Sequence, residues 1–168
     1  MVEPFEIRRL DVADVEDYRA IRLSSLRTEP ESFGALYELE AALPVETFVE
    51  RLASGIVLGA YAGGRIVGVA GFRRETAAKE RHKGVVWGVY VQRAARGQGV
   101  AAALIAGIIA VALPVVEQLT LSVVQGNDAA IALYRRHGFT VYGIEPRARK
   151  NAGGYVDKVL MVRDLRPG

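Results

Sequence analysis

The stretch that decides the fold is Val89-Tyr90-Val91-Gln92-Arg93-Ala94-Ala95-Arg96-Gly97-Gln98-Gly99-Val100-Ala101-Ala102-Ala103-Leu104. An apolar run with β propensity ends at Val91, and a polar turn leads to two glycines that open an apolar helix. Glycines at a helix start leave the first N–H groups bare, and the helix dipole adds partial positive charge there. Arg96 brings a full positive charge to the same place. The turn is therefore suited to a phosphate or pyrophosphate.

Composition predicts one folded domain spanning residues 1–168. Hydrophobic residues make up 51% of the chain and charged residues 24%, which is the balance of a globular protein. The chain has no cysteine, which excludes disulfides, thiolate nucleophiles and cysteine-based zinc sites. Its two histidines, His82 and His137, lie far apart in sequence, and we predict no metal site.

Charge and hydropathy limit the classes of partner and the location that we expect for this chain. The net charge is +3, and the basic residues are dispersed rather than arranged in a stripe, so we predict no nucleic-acid partner. The N-terminus lacks the pattern of a signal peptide. The longest apolar run, residues 100–116, is broken by Gly107 and Pro114 and is shorter than the roughly 20 residues of a membrane span. We therefore expect no membrane association and a cytoplasmic location.

Hydrophobic periodicity and turn residues predict seven strands and four helices. The strands are expected at residues 5–10, 56–62, 65–73, 85–91, 119–124, 139–144 and 155–162. The helices are expected at residues 12–27 behind an Asp11 cap, at 44–53, at 100–113, and from an Asn127 cap to Gly138. Residues 145–154 are expected to be a polar connection. This order predicts an α/β fold with a mixed, mainly antiparallel seven-stranded sheet and helices on both faces.

Two familiar phosphate-binding motifs fit the glycine turn poorly. A P-loop needs Gly-Lys-Ser or Gly-Lys-Thr at its helix start, whereas this chain has Gly99-Val100-Ala101. The spacing of Gly97, Gly99 and Ala102 satisfies the dinucleotide fingerprint, but the next strand ends in Val124-Gln125-Gly126 without the acidic residue that would hold a ribose.

A third interpretation uses more of the chain. Arg96-Gly97-Gln98-Gly99-Val100-Ala101 resembles the (Gln/Arg)-x-x-Gly-x-(Gly/Ala) motif of the GNAT superfamily of N-acetyltransferases. Downstream, residues 127–139 resemble that superfamily's second signature, Asn-x-x-Ala-x-x-Leu-Tyr-x-x-x-Gly-Phe. Together with the strand order, the resemblance covers roughly residues 56–143.

The resemblance implies acetyl-CoA as acetyl donor and a candidate cofactor site. The N–H groups of residues 97–102 would cradle the pyrophosphate, and the strand through Val89 would pair with the pantetheine arm. In the superfamily this strand splays from the next one, often at a bulge, and the amide near Val89 can act as an oxyanion donor. The predicted cofactor-binding residues are Val89, Tyr90, Val91, Arg96, Gly97, Gln98, Gly99, Val100, Ala101, Ala102, Asn127 and Tyr134.

Two residues of the second signature carry the predicted chemistry. Asn127 resembles the asparagine that contacts the CoA arm, and it is also a good helix cap. Tyr134 lies seven residues later on the same helix face. The resemblance implies that Tyr134 is the catalytic acid, which protonates the departing thiolate.

The group that deprotonates the amine is not evident from the sequence. Many relatives have a glutamate early in the strand that ends at Val91, and the matching position here is Val85. Direct attack by a neutral amine requires a base or a water chain to one. The substitutes within reach along the sequence are Glu75, Glu80, His82 and Glu145.

The expected acceptor is a primary amine of a small molecule or a protein. The resemblance places its pocket at about residues 23–48 and 144–155. Carboxylates there favour a cationic amine, but Arg147, Arg149 and Lys150 argue against a simple polyamine pocket. The alternatives are a non-catalytic acyl-CoA sensor and a nicotinamide-dependent oxidoreductase. Because many relatives pair, a homodimer is compatible with the resemblance.

Overall fold

The computed structural model describes residues 3 to 167. Its strands are β1 (Phe5–Arg9), β2 (Ile56–Ala62), β3 (Arg65–Arg74), β4 (Lys83–Val91), β5 (Gln118–Val124), β6 (Thr140–Asn151) and β7 (Gly154–Asp164). Its helices are α1 (Val15–Thr28), α2 (Tyr37–Ala41), α3 (Val45–Ser54), α4 (Val100–Ala112) and α5 (Asp128–Arg136). Short 3₁₀ turns occupy Val12–Asp14, Pro30–Ser32 and Arg93–Ala95.

The strands form one sheet in the order β1-β2-β3-β4-β5-β7-β6. Every neighbouring pair is antiparallel except β4 and β5, which run parallel and are connected through α4. Gly63 and Gly64 have φ angles of 57° and 76°, the left-handed values that a tight β2–β3 hairpin requires. The predicted seven-stranded mixed sheet is confirmed.

Helices cover both faces of the sheet, as predicted. On one face, α4 and α5 bury Leu104, Ile108 and Tyr134 against strand residues such as Phe72 and Leu119. On the other face lies a separate cluster from α1, α3 and the strands, which contains Tyr18, Ile21, Phe48, Leu52, Val57, Tyr61, Val69 and Tyr90. The sheet therefore separates two cores, and a site that reaches both faces must pass between strands.

Local capping explains where the first helical segment begins. The Asp11 carboxylate accepts a hydrogen bond from the Ala13 N–H at 2.8 Å, and the Asp14 carboxylate accepts one from the Asp11 N–H at 2.9 Å. This reciprocal capping box supports the predicted start after Asp11. Pro44 caps α3 instead of being its first residue, because its ψ of 153° is extended.

Two parts of the prediction are wrong. Residues 145–154 are not a connection, because β6 continues to Asn151 and pairs with β7 up to the Asn151–Gly154 partners. The register shifts between Glu145 and Arg149, where the Arg147 N–H donates to the Asp157 carboxylate at 2.8 Å. The second error is that helix α2, which the structure contains, is not predicted from the sequence.

Among the described residues no helix is long and apolar enough to cross a membrane. The run that begins at Val100 is instead α4, and its Leu104, Ile105 and Ile108 have no exposed surface.

Gly71 makes room for Trp87 across the β3–β4 pair. A Cβ atom built on Gly71 would lie 2.3 Å from Trp87 Cε2, far inside van der Waals contact. We expect Gly71→Ala to lower the free energy of unfolding by about 1–3 kcal/mol, the usual cost of overpacking. Chemical denaturation measures this loss. Gly143→Ala is the matched control in β6, since its Cβ would lie 3.8 Å from the nearest atom, Leu160 Cδ1. Equal stability of G71A and G143A would contradict the packing argument.

Candidate active site

The parallel strands β4 and β5 separate shortly after they meet. They pair only at Lys83–Gln118, Gly84–Leu119 and Val85–Thr120. Beyond Val85, β4 keeps its pairing with β3 on the other side, with a register shift between the Gly71–Trp87 and Val69–Tyr90 partners. Gly88 lies in this bulge with a φ of 64°. The splay and the bulge expected near Val89 are both present.

The splay opens a cavity of about 680 Å³ that reaches both faces of the sheet. Its walls include Ala130, Leu133 and Tyr134 from the α5 face, and Arg22 and Phe33 from the α1 face. The strand residues that line it include Val85, Val86, Trp87, Gly88, Val89, Tyr90 and Val91 of β4 and Thr120, Leu121, Ser122, Val123 and Val124 of β5. Two reactants can therefore approach from opposite faces and meet between the strands.

The glycine turn leaves donors bare at the start of α4. Gly97 and Gly99 have φ angles of 77° and 84°, and a Cβ at either position would meet no atom within 4 Å. Within residues 3–167, the first α4 hydrogen bond to the turn is from the Ala103 N–H to the Gly99 carbonyl at 3.0 Å, and no backbone hydrogen bond uses the N–H groups of residues 97–102. The geometry suits an anion that approaches through open space.

The structure does not bring all the predicted cofactor-binding residues to the cavity wall. Val89, Tyr90, Val91, Arg96, Ala101, Asn127 and Tyr134 line it, whereas Gly97, Gln98, Gly99, Val100 and Ala102 do not. Gln98 and Val100 instead line a smaller cavity of about 250 Å³ beside β1 and β3. The turn thus lies at the outer end of the main cavity, next to Arg96 and Ala101.

Arg96 is held in place rather than free at the turn. Its Nε donates to the Val91 carbonyl at 2.9 Å, and its Nη2 donates to the Glu29 carboxylate at 2.8 Å. Its guanidinium lies 5.9 Å from the centre of the Tyr90 ring. The Glu29 carboxylate therefore compensates the positive charge of Arg96 at the turn.

Asn127 and Tyr134 are both positioned by α5. The Asn127 Oδ1 accepts a hydrogen bond from the Ala130 N–H at 3.3 Å, which confirms the helix cap. The Tyr134 ring is 7% exposed and packs edge-on against Phe139, with 5.9 Å between ring centres. Burial raises the pKa of Tyr134 to about 12, so its hydroxyl stays protonated near neutral pH.

Comparison with known proteins agrees with this geometry. The sequence profile of the acetyltransferase (GNAT) family matches residues 16–139, which is most of the chain. The chain belongs to the GNAT family. A search of curated protein sequences finds no significant match.

Solved structures with acetyltransferase names superpose closely on this chain. A GNAT acetyltransferase from Streptococcus pneumoniae has a TM-score of 0.85 at 23% identity, with 96% of this chain and 99% of that chain covered. A putative acetyltransferase from Salmonella typhimurium, solved with its cofactor acetyl-CoA, has a TM-score of 0.84 at 21% identity, with 98% and 96% covered. A ribosomal-protein-alanine N-acetyltransferase from Brucella melitensis has a TM-score of 0.80 at 27% identity, with 95% and 99% covered.

In this GNAT-family cavity the carboxylate is Glu29, which is not among the candidate bases predicted from the sequence. Glu75, Glu80, His82 and Glu145 do not line the cavity, and Glu80 pairs with Lys83 at 3.0 Å. Among the described residues, Glu29 is the only carboxylate that does. The resemblance includes Glu29 in the predicted acceptor region, but the contact of Glu29 with Arg96 joins residues 67 positions apart and has no local sequence pattern.

Glu40 ties α2 to α1 and α3 behind the cavity. The Arg22 Nε donates to its carboxylate at 2.8 Å, and the Arg51 guanidinium donates to the same oxygen. Burial alone would raise the pKa of Glu40, but the hydrogen bonds and charges of the two arginines outweigh it, so the pKa is lowered. Glu40 is 4% exposed, whereas Arg22 lines the cavity.

We expect Glu40→Gln to lower the free energy of unfolding at pH 7 by about 3 kcal/mol, because it leaves two arginines without their shared carboxylate. A carboxylate with a lowered pKa stabilises the fold above its unfolded-state pKa and loses this effect as the pH falls through its folded-state pKa. The deficit of the variant should therefore shrink in acid. Urea denaturation at several pH values measures the free energy of unfolding of the variant and of the wild type. Glu38→Gln, at an exposed position on the same helix, is the control. A deficit that is constant with pH would contradict the ionic explanation.

Proposed function

We propose that this chain is an acetyl-CoA-dependent N-acetyltransferase that transfers the acetyl group directly to a primary amine. The observation that carries the proposal is the splay of β4 from β5, which opens a cavity to both faces with the protonated Tyr134 in its wall. The bare N–H groups of residues 97–102 and the unpaired part of β4 fit the pyrophosphate and amide-rich arm of CoA.

The proposed reaction is a single displacement. The amine nitrogen forms a bond to the acetyl carbon, the carbon–sulfur bond breaks, and the sulfur takes a proton from the Tyr134 hydroxyl. Amide N–H groups near the Gly88 bulge stabilise the charge that develops on the carbonyl oxygen. The amine loses one proton, and the Tyr134 hydroxyl is restored from solvent. No covalent enzyme intermediate is required, and the chain has no cysteine to form one.

We propose Glu29 as the group that receives the amine proton, directly or through water. We expect Glu29→Gln to lower kcat/KM about 100-fold, within the usual contribution of a general base. Steady-state kinetics with the amine found by the acceptor screen measure this effect. Exposed Glu31→Gln, two residues away, is the control. An unchanged kcat/KM in E29Q would remove Glu29 from this role.

The decisive experiment is an acceptor screen that follows release of free CoA. A thiol reagent detects CoA without background from the protein, because the chain has no cysteine. The panel covers small amines and peptides, since the Brucella melitensis relative is named for a ribosomal-protein alanine. CoA release with at least one amine supports the enzyme.

The two alternatives give different outcomes. Tight acetyl-CoA binding without release by any amine would favour the acyl-CoA sensor. Thermal stabilisation by NAD or NADP but not by CoA would favour the oxidoreductase. A single domain, a cytoplasmic location, the lack of a metal, nucleic-acid or membrane partner, and a homodimer stay predictions, and sedimentation velocity tests the last of these.

A further inference from the structure

Among the described residues, a guanidinium that takes part in no ion pair lies at the α1 side of the cavity. Arg149 of β6 lines the cavity, and its guanidinium packs on Gly34, where a built Cβ would lie 3.4 Å from both Nε and Nη2. Its Nη1 is buried without a hydrogen-bond partner, and no ion pair in residues 3–167 includes it. The other arginines in the cavity wall differ, because Arg22 is paired with Glu40 and Arg96 with Glu29.

Charge at this end of the cavity is not balanced. Glu40 is one carboxylate shared by Arg22 and Arg51, so this trio keeps one positive charge. Glu29 and Arg96 compensate each other. Arg149 adds a second positive charge, and the Glu145 carboxylate of the same strand acts on it through space without forming an ion pair. A ligand that brings negative charge to the α1 side would therefore be favoured, and a polycation would be repelled.

Burial makes the isolation of Arg149 unfavourable. Removing a cation from water without a hydrogen-bonded partner costs free energy. Burial lowers the pKa of Arg149 by more than the attraction of the Glu145 carboxylate raises it. A guanidinium stays charged at neutral pH, and its fork of N–H donors matches the two oxygens of a carboxylate. Trp87 supplies another buried donor without a partner, the indole Nε1, in the same cavity wall.

The position of Arg149 separates it from the phosphates of CoA. The proposed pyrophosphate site is the turn before α4, whereas Arg149 packs on Gly34 in the α1–α2 connection. We propose that the acceptor amine carries a carboxylate and that Arg149 binds this carboxylate. This inference rests on the proposed function and narrows its acceptor to amino acids and related amino carboxylates.

The test compares matched ligands and does not need turnover. The protein is saturated with CoA and titrated by calorimetry with the common L-amino acids, with linear amino acids from glycine to 6-aminohexanoate, and with the primary amide of each. We expect at least one acid to bind tenfold or more tightly than its amide. Arg149→Met should abolish this preference, and Arg149→Lys should keep part of it. Arg147→Met is the matched control, because Arg147 is an exposed arginine of β6 that does not line the cavity.

Three binding results would each overturn the inference: equal binding of acids and amides, no binding by any acid, or a preference that survives in R149M. Failure of the proposed function is a separate result, because it is the lack of CoA release with every amine in the acceptor screen. If the protein binds acids through Arg149 but releases no CoA with any amine, the carboxylate site is supported and the proposed enzyme activity is contradicted. If the protein acetylates acids, amides and peptides with equal kcat/KM, the enzyme activity is supported and the need for a carboxylate on the acceptor is contradicted.

Discussion

Replacing Tyr134 with phenylalanine lowers kcat by about 100-fold or more, the usual contribution of a positioned acid, and changes CoA affinity by less than about tenfold, the effect of one hydrogen bond. The aromatic ring remains, so the edge-on contact with Phe139 is kept. Only the hydroxyl is lost. Burial, rather than a hydrogen bond to a neighbouring residue, raises the pKa of this hydroxyl to about 12, and its loss should leave the fold intact.

The pKa of Tyr134 also predicts how kcat depends on pH. An acid must be protonated, and a tyrosine with a pKa of about 12 remains so through the range in which an ordinary tyrosine begins to ionise. Wild-type kcat should therefore show no alkaline decline from Tyr134 below pH 10. Single-turnover kinetics separate the chemical step from CoA release.

Tyr142→Phe is the matched control for this variant. Tyr142 also lines the cavity, but it is on β6 and is 58% exposed. Its hydroxyl should matter little to the chemical step. A Tyr134→Phe enzyme with the wild-type rate would remove the acid role, and equal losses in Y134F and Y142F would show that the effect is not specific to Tyr134.

Replacing Gly99 with aspartate weakens CoA binding by about 100-fold or more. A carboxylate at the start of α4 would face the pyrophosphate, and two like charges about 4 Å apart repel by about 4 kcal/mol at an effective dielectric constant of 20. The left-handed φ of 84° at Gly99 adds about 1 kcal/mol of backbone strain for most residues other than glycine. Calorimetric titration with CoA measures the loss.

Two controls separate charge from strain. Gly99→Asn has nearly the same shape as G99D without its charge, and asparagine tolerates left-handed backbone. Gly64→Asp places the same residue at a φ of 76° in the β2–β3 hairpin, where a Cβ meets no atom within 4 Å. We expect G64D to bind CoA as the wild type does and G99N to bind far better than G99D. Equal CoA affinity of G99D and the wild type would exclude the phosphate assignment.

Much of the fold was predictable because its determinants are local. The Gly63-Gly64 turn, the Asp11 cap and the Asn127 cap each act within a few residues, and the structure confirms all three. Helix α2 was missed because its sequence, Tyr37–Ala41, has no cap or apolar period, and its buried Glu40 depends on arginines from two other helices. The extension of β6 was missed because an edge strand with exposed faces carries polar residues.

Only one side of the candidate site has a signal in the sequence. The glycine turn and the α5 signature are each continuous in sequence, so they predict a set of residues between Val89 and Tyr134 together, and this assignment stays a prediction. Glu29 and Arg149 reach the cavity through tertiary contacts with Arg96 and Gly34. Neither contact has a sequence period or spacing that could reveal it.

The splay also has a consequence for the sheet as a hydrogen-bonding surface. A strand edge exposes unpaired N–H and C=O groups, and folded proteins usually shield such edges because another chain can pair with them. Here the parting of β4 and β5 after Val85–Thr120 creates two edges in the middle of the sheet, inside a cavity walled by helices. Because helical segments on both faces of the sheet contribute to the walls of this cavity, these two inner edges are shielded from pairing with another chain.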